Sequence, residues 1–137
     1  MVEVSPASRP NVIRKDAAAL RVPPNLPRDG VAGFSWQAMR SALDGLPGGA
    51  LNIAHEAVDR HALGPRAEHV AIHWLGAEGG EQRFTYRELQ RLCNRFANTL
   101  GALGLQRGDT LFVLMPRLPQ LYAAVLGAFK AGVVVSP

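Results

Sequence analysis

The spacing of apolar residues changes along the chain, and each change marks an element. In FSWQAMRSAL, residues 34–43, Trp36, Met39 and Leu43 share one helical face, and Ser35 is placed to cap it. LPGG at 46–49 ends that helix. Asn52 then caps a second, IAHEAVDRHAL, with a predicted apolar stripe of Ile53, Ala57, Val58 and Ala62 and a stop at Gly64 and Pro65. HVAIHWL at 69–75 is rich in β-branched and aromatic residues and reads as a strand. GAEGGEQ turns the chain, and RFTY pairs back to complete a β-hairpin.

The clearest local signal follows. Thr85 and Glu88 have the spacing of a capping box, and Phe84 and Leu89 stand where a hydrophobic staple belongs. Leu89, Leu92, Phe96, Leu100 and Leu103 then repeat at helical spacing, and Gly104 is placed for a left-handed C-cap. QRGD makes a turn. TLFVLM is apolar without alternation, the pattern of a parallel strand covered on both faces. Pro119 suits the first turn of a helix, QLYAAVLGAFKA, that is apolar almost all round. Gly132 ends it and VVVSP begins another strand. Strand, buried helix and strand make a βαβ unit, so the fold class is α/β.

Residues 1–33 differ in composition. Five of the ten prolines lie there and no apolar period runs through them, which predicts an extended, Pro-rich leader. The full 137 residues suit one domain, and 47% apolar residues supply a core. A net charge of +4 permits polyanion binding without indicating it, and no nucleic-acid partner is expected. The single cysteine, Cys93, cannot form an internal disulfide, which fits a reducing cytoplasm. Cys93 lies within a predicted amphipathic helix, where a packed thiol is expected rather than a nucleophile. No apolar run approaches the roughly 20 residues of a membrane span, so no membrane partner is expected.

Candidate chemistry is sparse. His55, His61, His69 and His73 are scattered, and one Cys beside them is poor material for zinc. GAEGGE at 76–81 lacks the spacing of a phosphate loop and lies between antiparallel strands rather than before a helix. Arg87, Arg91 and Arg95 recur every four residues and read as a solvated face with local ion pairs. Arg107-Gly108-Asp109 spells an adhesion tripeptide but sits where a turn must launch a strand. No Ser/His/Asp or paired-carboxylate arrangement emerges, so no catalytic, cofactor-binding or metal-binding residue is assigned.

The order of the pieces FTYREL, NRFAN, LGLQRGD and MPRLPQLYAAVLGAFKAG resembles the N-terminal part of an AMP-forming acyl-CoA synthetase. The likeness is greatest to the acetate–CoA ligase branch of the adenylate-forming superfamily. It runs from about Phe34 to Pro137. Residues 34–66 resemble the small helical N-terminal module of acetyl-CoA synthetases, and 67–137 the start of the AMP-binding domain. The resemblance implies a ligase using ATP, Mg²⁺ and coenzyme A: a carboxylate attacks ATP to give an acyl-adenylate and pyrophosphate, and coenzyme A then displaces AMP. The family's phosphate loop, ribose-binding acid, acyl pocket and C-terminal lysine would all lie beyond Pro137. Thr85, Glu88, Leu92, Phe96, Gly108, Pro116 and Gly132 match as architecture. The implied chain is an inactive front end of a longer cytoplasmic enzyme, completed by the rest of its domain or else self-associating. The alternative is a truncated, non-catalytic relative that acts as a protein-interaction module.

Overall fold

The computed structural model describes residues 34–137; the Pro-rich leader expected over 1–33 lies outside the described residues. The chain divides into two units, Met1–Ala38 and Met39–Pro137. In the first, the Phe34 and Trp36 rings meet edge to face at 5.1 Å. Ser35 Oγ accepts the Ala38 amide at 3.0 Å, so it caps helix α1 (Trp36–Ser41) as its position predicted.

The second unit takes up the end of α1 from Met39 and goes on to a loop and an irregular helix. Pro47–Gly49 form one 3₁₀ turn, closed by the Leu46 amide donating to the Ala50 carbonyl at 2.8 Å. Asn52 Oδ1 then accepts the Ala54 amide at 2.9 Å, the predicted cap. The helix that follows widens into a π-turn at His55–Asp59 before ending as α2 (Arg60–Ala62). That turn corrects the predicted stripe. Ile53 is 62% exposed and Ala57 is exposed, while Ala54, Val58 and Ala62 are buried. A π-turn holds more residues than an α-turn, so positions four apart stay in line and the inward face shifts.

Glu56 ties this helix to the preceding loop. Its carboxylate accepts the Gly45 amide at 2.7 Å and the Asp44 amide at 3.1 Å, and it pairs with Arg60 at 2.6 Å. The Gly45 amide foremost, then Arg60 and the Asp44 amide, outweigh the opposing effect of burial and hold the carboxyl at about 2. A carboxyl depressed in the folded state stabilises fully above its unfolded value, and that contribution fades as pH falls towards about 2. Urea midpoints measured from pH 6 down to pH 2 should therefore show wild type losing its advantage over Glu56→Gln below about pH 4.5. A gap between the two that stayed constant over this range would mean that the latch is absent.

Strands β1 (Val70–Leu75) and β2 (Glu81–Thr85) pair antiparallel as the predicted hairpin, with a bulge between Val70 and Ile72. Glu81 and Gln82, expected in the turn, are paired in β2, because the loop closes early through Gly76 and Gly80 at 2.7 Å. Thr85 caps α3 (Tyr86–Ala102) through a complete capping box. Its Oγ1 accepts the Glu88 amide at 3.2 Å, and Glu88 Oε2 accepts the Thr85 amide at 2.8 Å. Thr85→Ala should cost about 1 kcal/mol of unfolding free energy, since an N-terminal amide loses its acceptor. A denaturant midpoint identical to wild type would contradict this.

Gly104 follows α3 with φ of 86° and Gly108 turns the chain with φ of 95°. Strand β3 (Thr110–Phe112), helix α4 (Pro119–Ala131) and strand β4 (Val134–Ser136) complete the βαβ unit, with β3 and β4 parallel and Thr110 opposite Val134. Two apolar clusters hold the layers. Val58, Leu89, Cys93 and Ala123 form one; Leu100, Ala128 and Val133 form the other. Leu103, predicted as the end of the α3 stripe, is 71% exposed at the C-cap. The rest of the predicted stripe holds: Leu89 and Leu100 are buried with Cys93, and Leu92 and Phe96 pack half-buried against the two clusters.

Candidate functional site

A buried polar site lies where the 53–62 helix meets α3 and α4. Asp59, 8% exposed, accepts from Lys130 Nζ at 2.6 Å and from Gln90 Nε2 at 3.1 Å. Lys130 also donates to Asn94 Oδ1. Three chain segments thus converge on one buried ion pair. No buried side-chain nitrogen or oxygen among the described residues is left without a partner. A charge pair satisfied by its own neighbours has no free valence for substrate. It ties the 53–62 helix, α3 and α4 together through side-chain hydrogen bonds. The apolar periods of the sequence carry no sign of it, since the partners of Lys130 are 71 and 36 residues away along the chain.

Cys93 lies beside this pair, 1% exposed. Burial foremost pushes its thiol up to about 11, against the attraction of the Lys130 charge. At neutral pH it is a thiol in a core and not a nucleophile, in line with its helical position.

The remaining candidates disperse. His55 pairs with Asp44 and His73 with Glu81, each at 2.8 Å, while His61 leans on the Tyr86 ring at 5.0 Å. Among the described residues no three His, Cys, Asp or Glu side chains group to hold a metal ion. In the GAEGGE loop, a Cβ on Gly76 would lie 2.7 Å from the Trp74 ring. The small residue there is explained by indole packing, and the loop offers no phosphate cradle. The arginine stripe is only partly paired. Arg87 meets Glu68 at 2.6 Å, a partner nineteen residues back rather than a neighbour of Glu88 on the same helix. These candidates do not converge on one site, and no reaction step is placed on them.

One surface stands apart. α4 covers one face of the β3/β4 pair, burying Val133 and half-burying Leu111 and Val135. On the strands, Phe112 is 80% exposed, Val134 is 54% exposed, and Leu114 just beyond β3 is fully exposed. TLFVLM is therefore covered on one side only among the described residues, not on both as its pattern predicted. Parallel strands bury both faces almost without exception, and this face departs from that rule among the described residues.

A capped helix leading into a parallel βαβ unit defines the chain as part of a layered α/β protein. The model of the family described as AMP-binding enzyme matches residues 58–137, and the chain belongs to that family. It is 37% identical over 105 residues to the acetyl-coenzyme A synthetase of Bacillus subtilis, covering 76% of this chain and 18% of that protein. It is 43% identical over 88 residues to that of Methanothrix soehngenii, covering 63% and 13%. Among solved structures, the Brucella canis acyl-CoA synthetase superposes with a TM-score of 0.69 at 29% identity, over 76% of this chain and 19% of that one. The chain thus spans less than a fifth of the length of the relatives it matches. Among the described residues, no helix is long and apolar enough to cross a membrane.

Proposed function

We propose that this chain supplies the first layers of the adenylation domain of an acetate-type acyl-CoA synthetase. The reaction would convert a carboxylate, ATP and coenzyme A to acyl-CoA, AMP and pyrophosphate through an acyl-adenylate, in the cytoplasm. The observation that carries this reading is the open apolar face of β3/β4, in a chain whose matched relatives are acetyl-coenzyme A synthetases. Further sheet and helix would cover Phe112, Leu114 and Val134 in that enzyme. The chain's share is architectural: it holds α3 and α4 against the first strands and carries no reacting group.

The test is a chimera in which this chain replaces the matching 105 residues of the Bacillus subtilis enzyme. It should retain acetate-dependent ATP–pyrophosphate exchange. The 137-residue chain alone should show none, and should self-associate by light scattering through the uncovered face. A folded but inactive chimera would sink the proposal. A second reading, a non-catalytic interaction module, draws on the same open face; a stable monomer of the chain alone would favour it.

A further inference from the structure

The loop between α1 and the 53–62 helix contains a bond with chemistry of its own. Asp44 is followed by Gly45, and glycine suits that position because its φ is 74°. The same lack of a Cβ leaves the Gly45 amide nitrogen uncrowded, beside an Asp44 side chain that is 56% exposed. An aspartic acid so placed can react with the amide that follows it. The Gly45 nitrogen forms a bond to Asp44 Cγ, and the amide hydrogen and the carboxyl hydroxyl leave as water, closing a five-membered imide. Water then adds at the Asp44 main-chain carbonyl carbon, and the original bond from that carbon to the Gly45 nitrogen breaks. The chain now runs through Cγ as isoaspartate, with its mass unchanged.

In the folded chain both reacting groups are occupied. The Gly45 amide donates to Glu56 Oε1 at 2.7 Å, and Asp44 Oδ2 is held 2.8 Å from His55 Nε2. Attack requires the amide nitrogen to shed its proton and turn its lone pair onto Cγ. A negative carboxylate at hydrogen-bond distance opposes the charge that would build up on that nitrogen. Glu56, held at about 2, is also too weak a base to take the proton itself. We propose that Asp44–Gly45 is a self-modification site, an isoaspartate-forming bond that Glu56 keeps closed in the folded chain. Isoaspartate adds one carbon to the main chain between the two amides that Glu56 grips at 3.1 and 2.7 Å, so the carboxylate no longer matches both. The modification thereby releases the loop from the helix. The inference rests on this loop alone and not on the reading of β3/β4 as part of an adenylation domain.

The test is prolonged warm incubation of the chain at neutral pH, followed by tryptic mapping. Cleavage after Arg40 and Arg60 gives a peptide of residues 41–60 with a single Asp-Gly pair. Its isoaspartate form separates chromatographically at equal mass and is identified by electron-transfer fragmentation. Folded wild type should form isoaspartate at position 44 about tenfold more slowly than the same chain unfolded in guanidinium, because reaction awaits opening of the loop. Glu56→Ala should bring the folded rate to within about threefold of the unfolded one. Glu56→Gln keeps an acceptor without the charge; it should give an intermediate rate, and it serves as the second test should the alanine variant misfold. Thr85→Ala, which weakens the cap of α3 and leaves Glu56 in place, should keep the wild-type rate. Wild type reacting as fast folded as unfolded, a Glu56→Ala rate equal to or below that of wild type, or Thr85→Ala reacting as fast as Glu56→Ala would each overturn the assignment.

Discussion

Replacing Lys130 with methionine is expected to lower the unfolding free energy by about 3 kcal/mol. The substitution keeps most of the side chain's volume and removes its charge, so Asp59 loses its ion-pair partner and Asn94 Oδ1 loses a donor. That carboxylate is 12% exposed by side chain and loses its 2.6 Å partner, keeping only the Gln90 amide at 3.1 Å. Breaking a buried pair by removing one member costs about 3–5 kcal/mol. Lys130 is 23% exposed by side chain, which places the effect at the lower end of that range. Adding Asp59→Leu should then recover much of the loss, because two apolar groups of similar size replace a desolvated pair. Urea melts of the two single variants and the double variant give the comparison. A loss below about 1 kcal/mol in Lys130→Met would show that water already shares the Asp59 charge. A double variant as unstable as Lys130→Met alone would show that the lysine acts by packing.

Gly127→Val should be comparably damaging for a different reason. A Cβ at Gly127 would meet the Cys93 carbonyl oxygen at 2.8 Å and the Phe96 Cβ at 3.0 Å. The first is a backbone atom and the second is bonded directly to the backbone, so neither can swing aside. The helices α3 and α4 must move apart, and the core around Cys93 and Ala123 loosens with them. Overpacking of this kind costs about 1–3 kcal/mol, occasionally more. Alanine at the same site gains about 1 kcal/mol of helix propensity, so Gly127→Ala should lose less than Gly127→Val while still losing. Gly101, also helical, is the control: nothing lies within 4 Å of its would-be Cβ. There Gly→Ala should stabilise by about 0.5–1 kcal/mol. Equal effects at the two glycines would mean that α3 and α4 do not approach closely at Gly127.

Features decided by neighbours in the chain are legible in the sequence itself. The capping box needs only residues 85–88, and its two reciprocal bonds are present. Gly132 is recognisable as the end of α4 because the apolar run stops there and only glycine takes φ of 76° without strain. The hairpin and the βαβ unit follow from strand-like runs at lengths that suit their connections. The ion pair of the candidate site is not legible in this way. Asp59 and Lys130 look like any charged residues on two helices until the packing of those helices brings them to 2.6 Å.

Local period, capping chemistry and glycine placement thus determined the elements, their order and their ends, because each depends on contacts a few residues apart. The sequence alone also carried enough pattern to place the chain in its family. Tertiary structure decided the rest. The π-turn at His55–Asp59 brings Ala54 and Val58 inward where Ile53 and Ala57 were expected beside Val58. Lys130 reaches back to Asp59 across 71 residues. Arg87 finds Glu68 rather than a partner on its own helix. TLFVLM turns Phe112 and Leu114 outward because α4 covers a single face of its sheet. Each of these depends on which distant surfaces meet, and burial and pairing across long loops leave no period in the chain from which to read them.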